Sequence, residues 1–274
     1  MNIVMCGDSR AYCGIELVIY STLTHNKNIN WYIFSMDICF STPNGELIFK
    51  GLDPIHKNKL RKIVAYLDPG SKITFINAAP YYEKYLSGSI NEMSEFTPYA
   101  ALRLIMDKAL PYVNECLYFD ADIAVCENLE DMYYKYKADN QYEAYATYAE
   151  DAFEGEGEMV SGIMFFNMAK CRETNFFERA RKNYMINEYE FPDQMAMRDT
   201  SEIGQIPSRY GSMEDPLLTI AKPAIIHFTN NLMKIYSAPS PLYFYRKYPQ
   251  FQYILTGLRL IDTIDLNIPI NLDE

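Results

Sequence analysis

The chain is poor in several things at once: one tryptophan, three histidines and no basic excess. Lysine and arginine number 25 against 36 acidic residues, a net charge of −11 at neutral pH. A field of that sign excludes bulk attraction to nucleic acid or to an anionic lipid surface, while leaving room for a local basic pocket around a small phosphorylated ligand. No apolar stretch approaches the roughly 18–20 residues that a membrane-spanning helix needs. The opening Met1-Asn2-Ile3-Val4-Met5-Cys6 has no basic leader and is too short to act as a signal peptide. Six cysteines (Cys6, Cys13, Cys39, Cys116, Cys126, Cys171) contain no C-x-x-C pair, and none has a histidine or cysteine at zinc spacing. They read as small hydrophobes in a reducing, cytoplasmic setting. There is no internal repeat, no Pro/Ser-rich linker and no basic helix near the C-terminus to dock on a membrane. What remains is an ordinary globular chain of 274 residues, 49% apolar and 22% charged. A chain of this size buries roughly 70–75% of its unfolded surface without disulfide or metal staples.

Short apolar runs alternate with helical patterns in the first half. Ile3 to Cys6 is a strand ending in Gly7-Asp8, and Ala11 to Leu23 follows with apolar residues at helical spacing. Trp31 to Ser35 is a second strand. Asp53-Pro54 supplies an N-cap and first-turn proline for a helix to about Leu67. Lys72 to Asn77 is a third strand, Thr97-Pro98 caps a further helix to Pro111, and Cys116 to Phe119 is a fourth strand. Strands spaced by helical segments imply right-handed crossovers and a mainly parallel α/β sheet. Later strands are expected at Tyr142 to Tyr148, Val160 to Met168 and Ala224 to Phe228, with a helix over Ala169 to Asn187 and an irregular C-terminal embellishment. The acidic, glycine-spaced segment Glu150 to Glu158 reads as a solvated connection, with a lid or acceptor-recognition role as its functional alternative.

An Asp-x-Asp triplet carries no information by itself in a chain with 36 acidic residues. Position makes Asp120-Ala121-Asp122 informative: an apolar strand delivers both carboxylates to the carboxyl end of a parallel sheet, where open α/β folds bind ligands. At i and i+2 of a strand the two side chains share a face, and two hard oxygen ligands there suit Mg²⁺ or Mn²⁺ completed by substrate phosphates. His227 ends the buried run Ile225-Ile226-His227-Phe228. An imidazole beside two carboxylates shifts the preference towards Mn²⁺, and a satisfied core histidine is the alternative. His25 and His56 lie in polar surroundings and are expected at the surface.

On these residues the chain resembles glycosyltransferase family 8, the retaining, sugar-nucleotide-dependent enzymes that include bacterial lipopolysaccharide galactosyltransferases and glycogenin. Met1 to Asp8 resembles the family's first strand, which implies that Asp8 contacts uracil and Tyr12 stacks near the base. Tyr99-Ala100-Ala101-Leu102-Arg103-Leu104 resembles the Y-x-R-L helix, with Arg103 seventeen positions before Asp120, as expected of the arginine that contacts the donor. Leu117-Tyr118-Phe119-Asp120-Ala121-Asp122-Ile123 with Leu129 resembles the L-Y-L-D-x-D signature. Phe191-Pro192-Asp193-Gln194 resembles Y-x-D-Q-D, and Ile226-His227-Phe228 the segment of the third metal ligand. The match is collinear from residue 1 to about 235.

The resemblance implies a GT-A-type, Rossmann-like single domain, with 1–235 as the nucleotide-sugar-binding catalytic part and 236–274 as a helical extension packed on it. It implies a metal held by Asp120, Asp122 and His227, and a donor, UDP-glucose or UDP-galactose, met by Asp8, Tyr12, Arg103, Ala121, Ser161 and Lys234. Asp193 and Gln194 would orient the sugar for transfer to a glycan acceptor in cell-surface polysaccharide or lipopolysaccharide synthesis. Three departures stand against the family pattern. Val160 replaces the asparagine of N-[AST]-G, Met195 replaces the last aspartate of D-Q-D, and the H-[FY]-x-G-x-x-K-P-W segment reads His227-Phe228-Thr229-Asn230-Asn231-Leu232-Met233-Lys234, with the lysine shifted by one position. They keep open a degenerate member acting as a binding or scaffold module. A nucleotidyltransferase on a similar fold is a further alternative. A haloacid-dehalogenase-type phosphatase fits poorly, because its D-x-D lies on the first strand with Thr or Val where Ala124 stands here.

Overall fold

The computed structural model describes residues 1–42, 45–92, 94, 96, 98–149, 158–213, 222–229 and 234–264. Thr97, the acidic residues 150–157, residues 230–233 and the terminal 265–274 lie outside them. The first half runs β1 (Asn2–Cys6), α1 (Tyr12–His25), β2 (Asn30–Ser35), β3 (Ile38–Thr42), β4 (Gly45–Phe49), α2 (Pro54–Leu67), β5 (Lys72–Asn77), α3 (Ala79–Tyr85), α4 (Met106–Ala109), β6 (Cys116–Phe119) and β7 (Ile123–Val125). Then come α5 (Glu130–Ala138), β8 (Ala144–Tyr148), β9 (Met159–Phe166), α6 (Met168–Glu173), α7 (Phe176–Ile186), α8 (Pro192–Arg198), β10 (Gly204–Ile206), β11 (Ile225–His227), α9 (Pro241–Lys247) and α10 (Gln252–Thr263).

Seven strands form the central sheet in the order β10-β8-β9-β6-β1-β2-β5. It is mainly parallel, as the crossovers imply; β9 alone in it runs antiparallel to both its neighbours. The two-residue period sorts side chains to opposite faces. Ile3, Met5, Trp31, Ile33, Leu117, Phe119, Ile163 and Phe165 join one core cluster. Val4, Cys6, Phe34, Cys116, Tyr118, Met164 and Phe166 join the other. Both faces are covered, which is why these strands read as unbroken apolar runs.

Local chemistry accounts for the agreements and the corrections. Asp53 caps α2, its Oδ1 accepting from the His56 amide at 2.7 Å, with Pro54 at the first turn. The segment after Pro98 is instead a 3₁₀ helix over Ala100–Ile105 leading into the short α4. There the Ala100 carbonyl takes a hydrogen bond from Arg103 Nε at 3.1 Å. The expected helix over Ala169 to Asn187 is broken into α6 and α7. Asn175 takes φ +56°, a conformation asparagine tolerates better than most residues, and the Thr174 hydroxyl bonds back to the Lys170 carbonyl at 3.0 Å. The β3–β4 hairpin, with Cys39 exposed on it, was not expected.

The C-terminal helices close over α1. Phe244, Tyr245, Tyr248, Phe251, Ile254 and Ile261 belong to the same cluster as Ile15, Val18 and Ile19. Where they cross, the hydroxyl of Tyr20 lies 1.8 Å from where a Cβ on Gly257 would be, so any larger residue there would have to push the Tyr20 ring aside. Lys59 Nζ of α2 reaches Asp262 Oδ1 of α10 at 3.3 Å. In this seam the Tyr12 hydroxyl donates to Glu16 Oε1, and burial pushes the Glu16 carboxyl up from 4.5 to about 7 against the opposing pull of Tyr12 and Lys59. The folded chain therefore binds the Glu16 proton more tightly than the unfolded one. The stability it lends is full below about 4.5 and is lost as pH rises through about 7. Glu16→Gln should flatten the stability curve across that window and be the more stable protein at pH 8, as read by urea denaturation of both proteins at pH 5 and pH 8. Parallel curves would remove Glu16 as the cause.

Candidate active site

The site is built where β1 and β6 end side by side. Ile3, Val4 and Met5 pair in parallel with Leu117, Tyr118 and Phe119, so Gly7-Asp8 and Asp120-Ala121-Asp122 emerge at one sheet edge. The two aspartates do not share a strand face. β6 stops at Phe119, and both lie on the turn into β7. The turn is gripped on two sides. The Asp120 amide donates to the Gly162 carbonyl of β9 at 2.8 Å, and α1 approaches so closely that a Cβ on Gly14 would sit 1.9 Å from the Ala121 carbonyl oxygen.

His227 arrives through strand pairing. β11 lies antiparallel to β7 with His227 opposite Ile123, and the Phe228 amide donates to the Asp122 carbonyl at 2.8 Å. One ligand atom from each of Asp120, Asp122 and His227 lies within 4.8 Å of the others. Gly162 makes the space: a Cβ there would stand 2.2 Å from His227 Cε1, 2.6 Å from Nε2 and 3.0 Å from Asp120 Oδ2. Asp122 Oδ1 is buried, has no hydrogen-bond partner among the described residues, and lies 3.3 Å from His227 Nε2. Two carboxylates, one of them presenting an orphaned buried oxygen, and an imidazole are a donor set that fits Mn²⁺ or Mg²⁺.

Electrostatics favour the ionised form. Burial pushes the Asp122 carboxyl up, but His227 and Lys234 outweigh it and hold it well below the usual carboxylate range. Lys234 Nζ stands 2.9 Å from Asp122 Oδ2, and the Tyr236 hydroxyl donates to the same oxygen at 3.3 Å. Burial first, then the charge of Asp122, pushes the Tyr236 phenol up, so it remains a donor.

The other expected residues divide into two groups. Arg103, Asp193, Gln194 and Ser161 come together around Asp120. The buried Arg103 guanidinium donates from Nη1 to the Ser161 carbonyl at 2.5 Å and from Nη2 to Asp120 Oδ1 at 2.9 Å. Its Nε lies 2.9 Å from Asp193 Oδ2, and its Cζ sits 4.1 Å above the Tyr118 ring. In the structure Arg103 binds the protein itself. Burial raises the Asp193 carboxyl, with Arg103 pulling it the other way. Gln194 Oε1 accepts from the Ser161 amide at 2.9 Å, which leaves its amide nitrogen to donate elsewhere.

Asp8 and Tyr12 form the second group. Asp8 Oδ1 accepts from the amides of Arg10 and Ala11, each at 3.0 Å, and Oδ2 from Arg10 Nε at 2.6 Å. The Tyr12 ring is only 9% exposed. His56, expected at the surface, stacks on it with ring centroids 4.2 Å apart, so one face of Tyr12 is already covered. Sequence reasoning missed Tyr118 and Tyr236 as partners of the aspartates. The pattern held a signal for Tyr118, two residues before Asp120, and none for Tyr236.

Solved structures share this architecture. The galactosyltransferase LgtC, in complex with donor and acceptor sugar analogues, superposes with a TM-score of 0.63 at 13% identity, over 97% of this chain and 98% of that one. The bifunctional glycosyltransferase WbbM gives 0.64 at 16% over 91% of this chain, which spans about half, 51%, of its length. Mouse xyloside xylosyltransferase 1 gives 0.59 at 11%, covering 84% and 97%. No curated protein matches the chain. At these identities the likeness is one of fold, and the fold is that of the GT-A glycosyltransferases. The family model of glycosyl transferase family 8 matches residues 2–234. The chain belongs to that family and is a glycosyltransferase. Among the described residues no helix is long and apolar enough to cross a membrane.

Proposed function

We propose that the protein transfers a hexose, glucose or galactose, from a UDP-sugar to a glycan acceptor with retention of anomeric configuration, in the cytoplasmic stage of cell-surface polysaccharide or lipopolysaccharide synthesis. The observation that carries the metal-dependent part is the convergence of Asp120, Asp122 and His227 within 4.8 Å. The donor, the retention and the pathway are our extension by analogy from membership of the family. We read residues 1–235 as the catalytic part and 236–274 as an extension on it, a reading supported by the α9–α10 residues in the α1 core.

Asp120, Asp122 and His227 would hold Mn²⁺ or Mg²⁺. When bound, the cation neutralises the charge growing on the leaving diphosphate. In this reading Lys234, which stands against Asp122 Oδ2 at the edge of the cage, would meet a phosphate oxygen, and Asp8 would accept from the uracil imide. Retention by double displacement needs a carboxylate nucleophile. Asp193 is buried against Arg103, and Gln194 is an amide. Both facts favour front-face attack, with the leaving phosphate taking the acceptor's proton while Gln194 orients the sugar. A trapped covalent adduct on Asp193 would overturn that route.

The test is UDP release from a panel of UDP-sugars with Mn²⁺. Turnover of UDP-glucose or UDP-galactose, abolished by EDTA and by His227→Ala, is the expected outcome. Binding of UDP without turnover would favour a non-catalytic scaffold, and absence of UDP affinity would end the transferase reading.

A further inference from the structure

Asp120 and Asp122 are each held by one basic side chain and one phenol. Asp120 Oδ1 accepts from Arg103 Nη2 at 2.9 Å and from the Tyr118 hydroxyl at 2.8 Å. Asp122 Oδ2 meets Lys234 Nζ at 2.9 Å and the Tyr236 hydroxyl at 3.3 Å. Each carboxylate engages one cation and one phenol through a single oxygen and keeps the other for the cage. Asp120 Oδ2 lies beside the missing Cβ of Gly162, and Asp122 Oδ1 beside His227 Nε2.

We propose that Tyr236 is a positioning residue for the divalent cation: by holding Oδ2 of Asp122 it aims Oδ1 at the ion. This rests on the metal-dependent reading above. Tyr236 stands on the 3₁₀ helix Ile235–Ser237, and its ring is set against α1, with Cδ1 3.1 Å from where a Cβ of Gly14 would be. The same α1 surface therefore braces both the Asp120–Asp122 turn and the phenol that orients it. A hydrogen bond to the other oxygen of a ligating carboxylate fixes its orientation, and losing such a partner typically weakens metal affinity 10–100-fold. A phenol does this without charge. Lys234 holds the same oxygen with a positive charge that repels the incoming cation. The two partners of Oδ2 thus act with opposite sign on the bare ion.

Mn²⁺ binding to the full chain, followed by the electron paramagnetic resonance of the free ion with and without UDP, separates the roles. Tyr236→Phe is expected to weaken Mn²⁺ binding about 10–100-fold in both conditions. UDP affinity in EDTA should stay unchanged, and far-ultraviolet circular dichroism should verify the fold. Lys234→Met should bind the bare ion at least as tightly as the unsubstituted chain. In turnover, Tyr236→Phe should raise the Mn²⁺ concentration for half-maximal rate while kcat at saturating Mn²⁺ is kept. Equal Mn²⁺ affinity of Tyr236→Phe and the unsubstituted chain overturns the proposal alone, as does a fall in kcat with affinity unchanged. An unsubstituted chain that binds no Mn²⁺ overturns the metal-dependent reading and this proposal with it.

Discussion

Gly162→Ala is expected to lose about three orders of magnitude in kcat/KM while the protein stays folded. The added Cβ would lie 2.2 Å from His227 Cε1 and 2.6 Å from Nε2, well inside contact. Gly162 belongs to β9, where its carbonyl accepts from the Asp120 amide at 2.8 Å and the next residue, Ile163, pairs with Phe119 of β6, so the strand is tied on that side, while its pairing with β8 is interrupted by a bulge across residues 161–163. The imidazole must move, and it is a ring at the end of a short strand rather than the tip of a flexible chain. Overpacking of this kind costs about 1–3 kcal/mol in stability, which a domain of this size survives. The cage does not survive it, because displacing His227 opens one corner and the 3.0 Å approach to Asp120 Oδ2 disturbs a second. A bound cation contributes several kcal/mol to stabilising developing charge, and each 1.36 kcal/mol is about tenfold in rate. Steady-state kinetics at saturating Mn²⁺ beside a thermal melt would check it. Unimpaired catalysis in a folded variant would show that the imidazole is not needed where the structure puts it.

The second large effect is on stability. Arg103→Met should lower the melting temperature by roughly 10 °C, since breaking a buried ion pair costs about 3–5 kcal/mol. The guanidinium side chain is 3% exposed, and Asp193, one of its partners, is 9% exposed. Without it, two carboxylates are left facing each other. Arg103→Lys should rescue little, because one ammonium does not span the three directions that Nε, Nη1 and Nη2 fill. The pH dependence has a definite sign. Burial already raises the Asp193 carboxyl and Arg103 opposes that rise. Removing Arg103 lifts it further, so the deficit should shrink as pH falls and Asp193 takes up its proton. Thermal melts at pH 5 and pH 8, with Asp193→Asn added as a partial rescue, would read this. An unchanged melt with a raised KM for the donor would instead make Arg103 a donor ligand.

Much of the scaffold is written locally. The period-2 and period-3.6 patterns, with Asp53-Pro54 as a start signal, place β1, α2, β5 and β6 to within a residue or two, and the Asp120-Ala121-Asp122 turn falls at the end of β6 as its apolar run requires. The misses have local causes too weak to outvote a pattern. Arg103 ties back to Ala100 and accompanies a tighter 3₁₀ turn, and Asn175 turns left-handed and splits a helix.

The residues Asp120, Asp122 and His227 can be picked out from order and chemistry, because a strand must deposit its terminal polar groups at the sheet edge. That their donor atoms meet is a matter of register between β7 and β11, elements a hundred residues apart whose pairing no short pattern encodes. The same holds for the reason Gly162 is a glycine, for Arg103 turning inward to join Asp120 and Asp193, and for Tyr236 reaching Asp122. Each depends on distances between segments remote along the chain, and such distances exist only once both faces of the sheet have been covered and the backbone has closed upon itself.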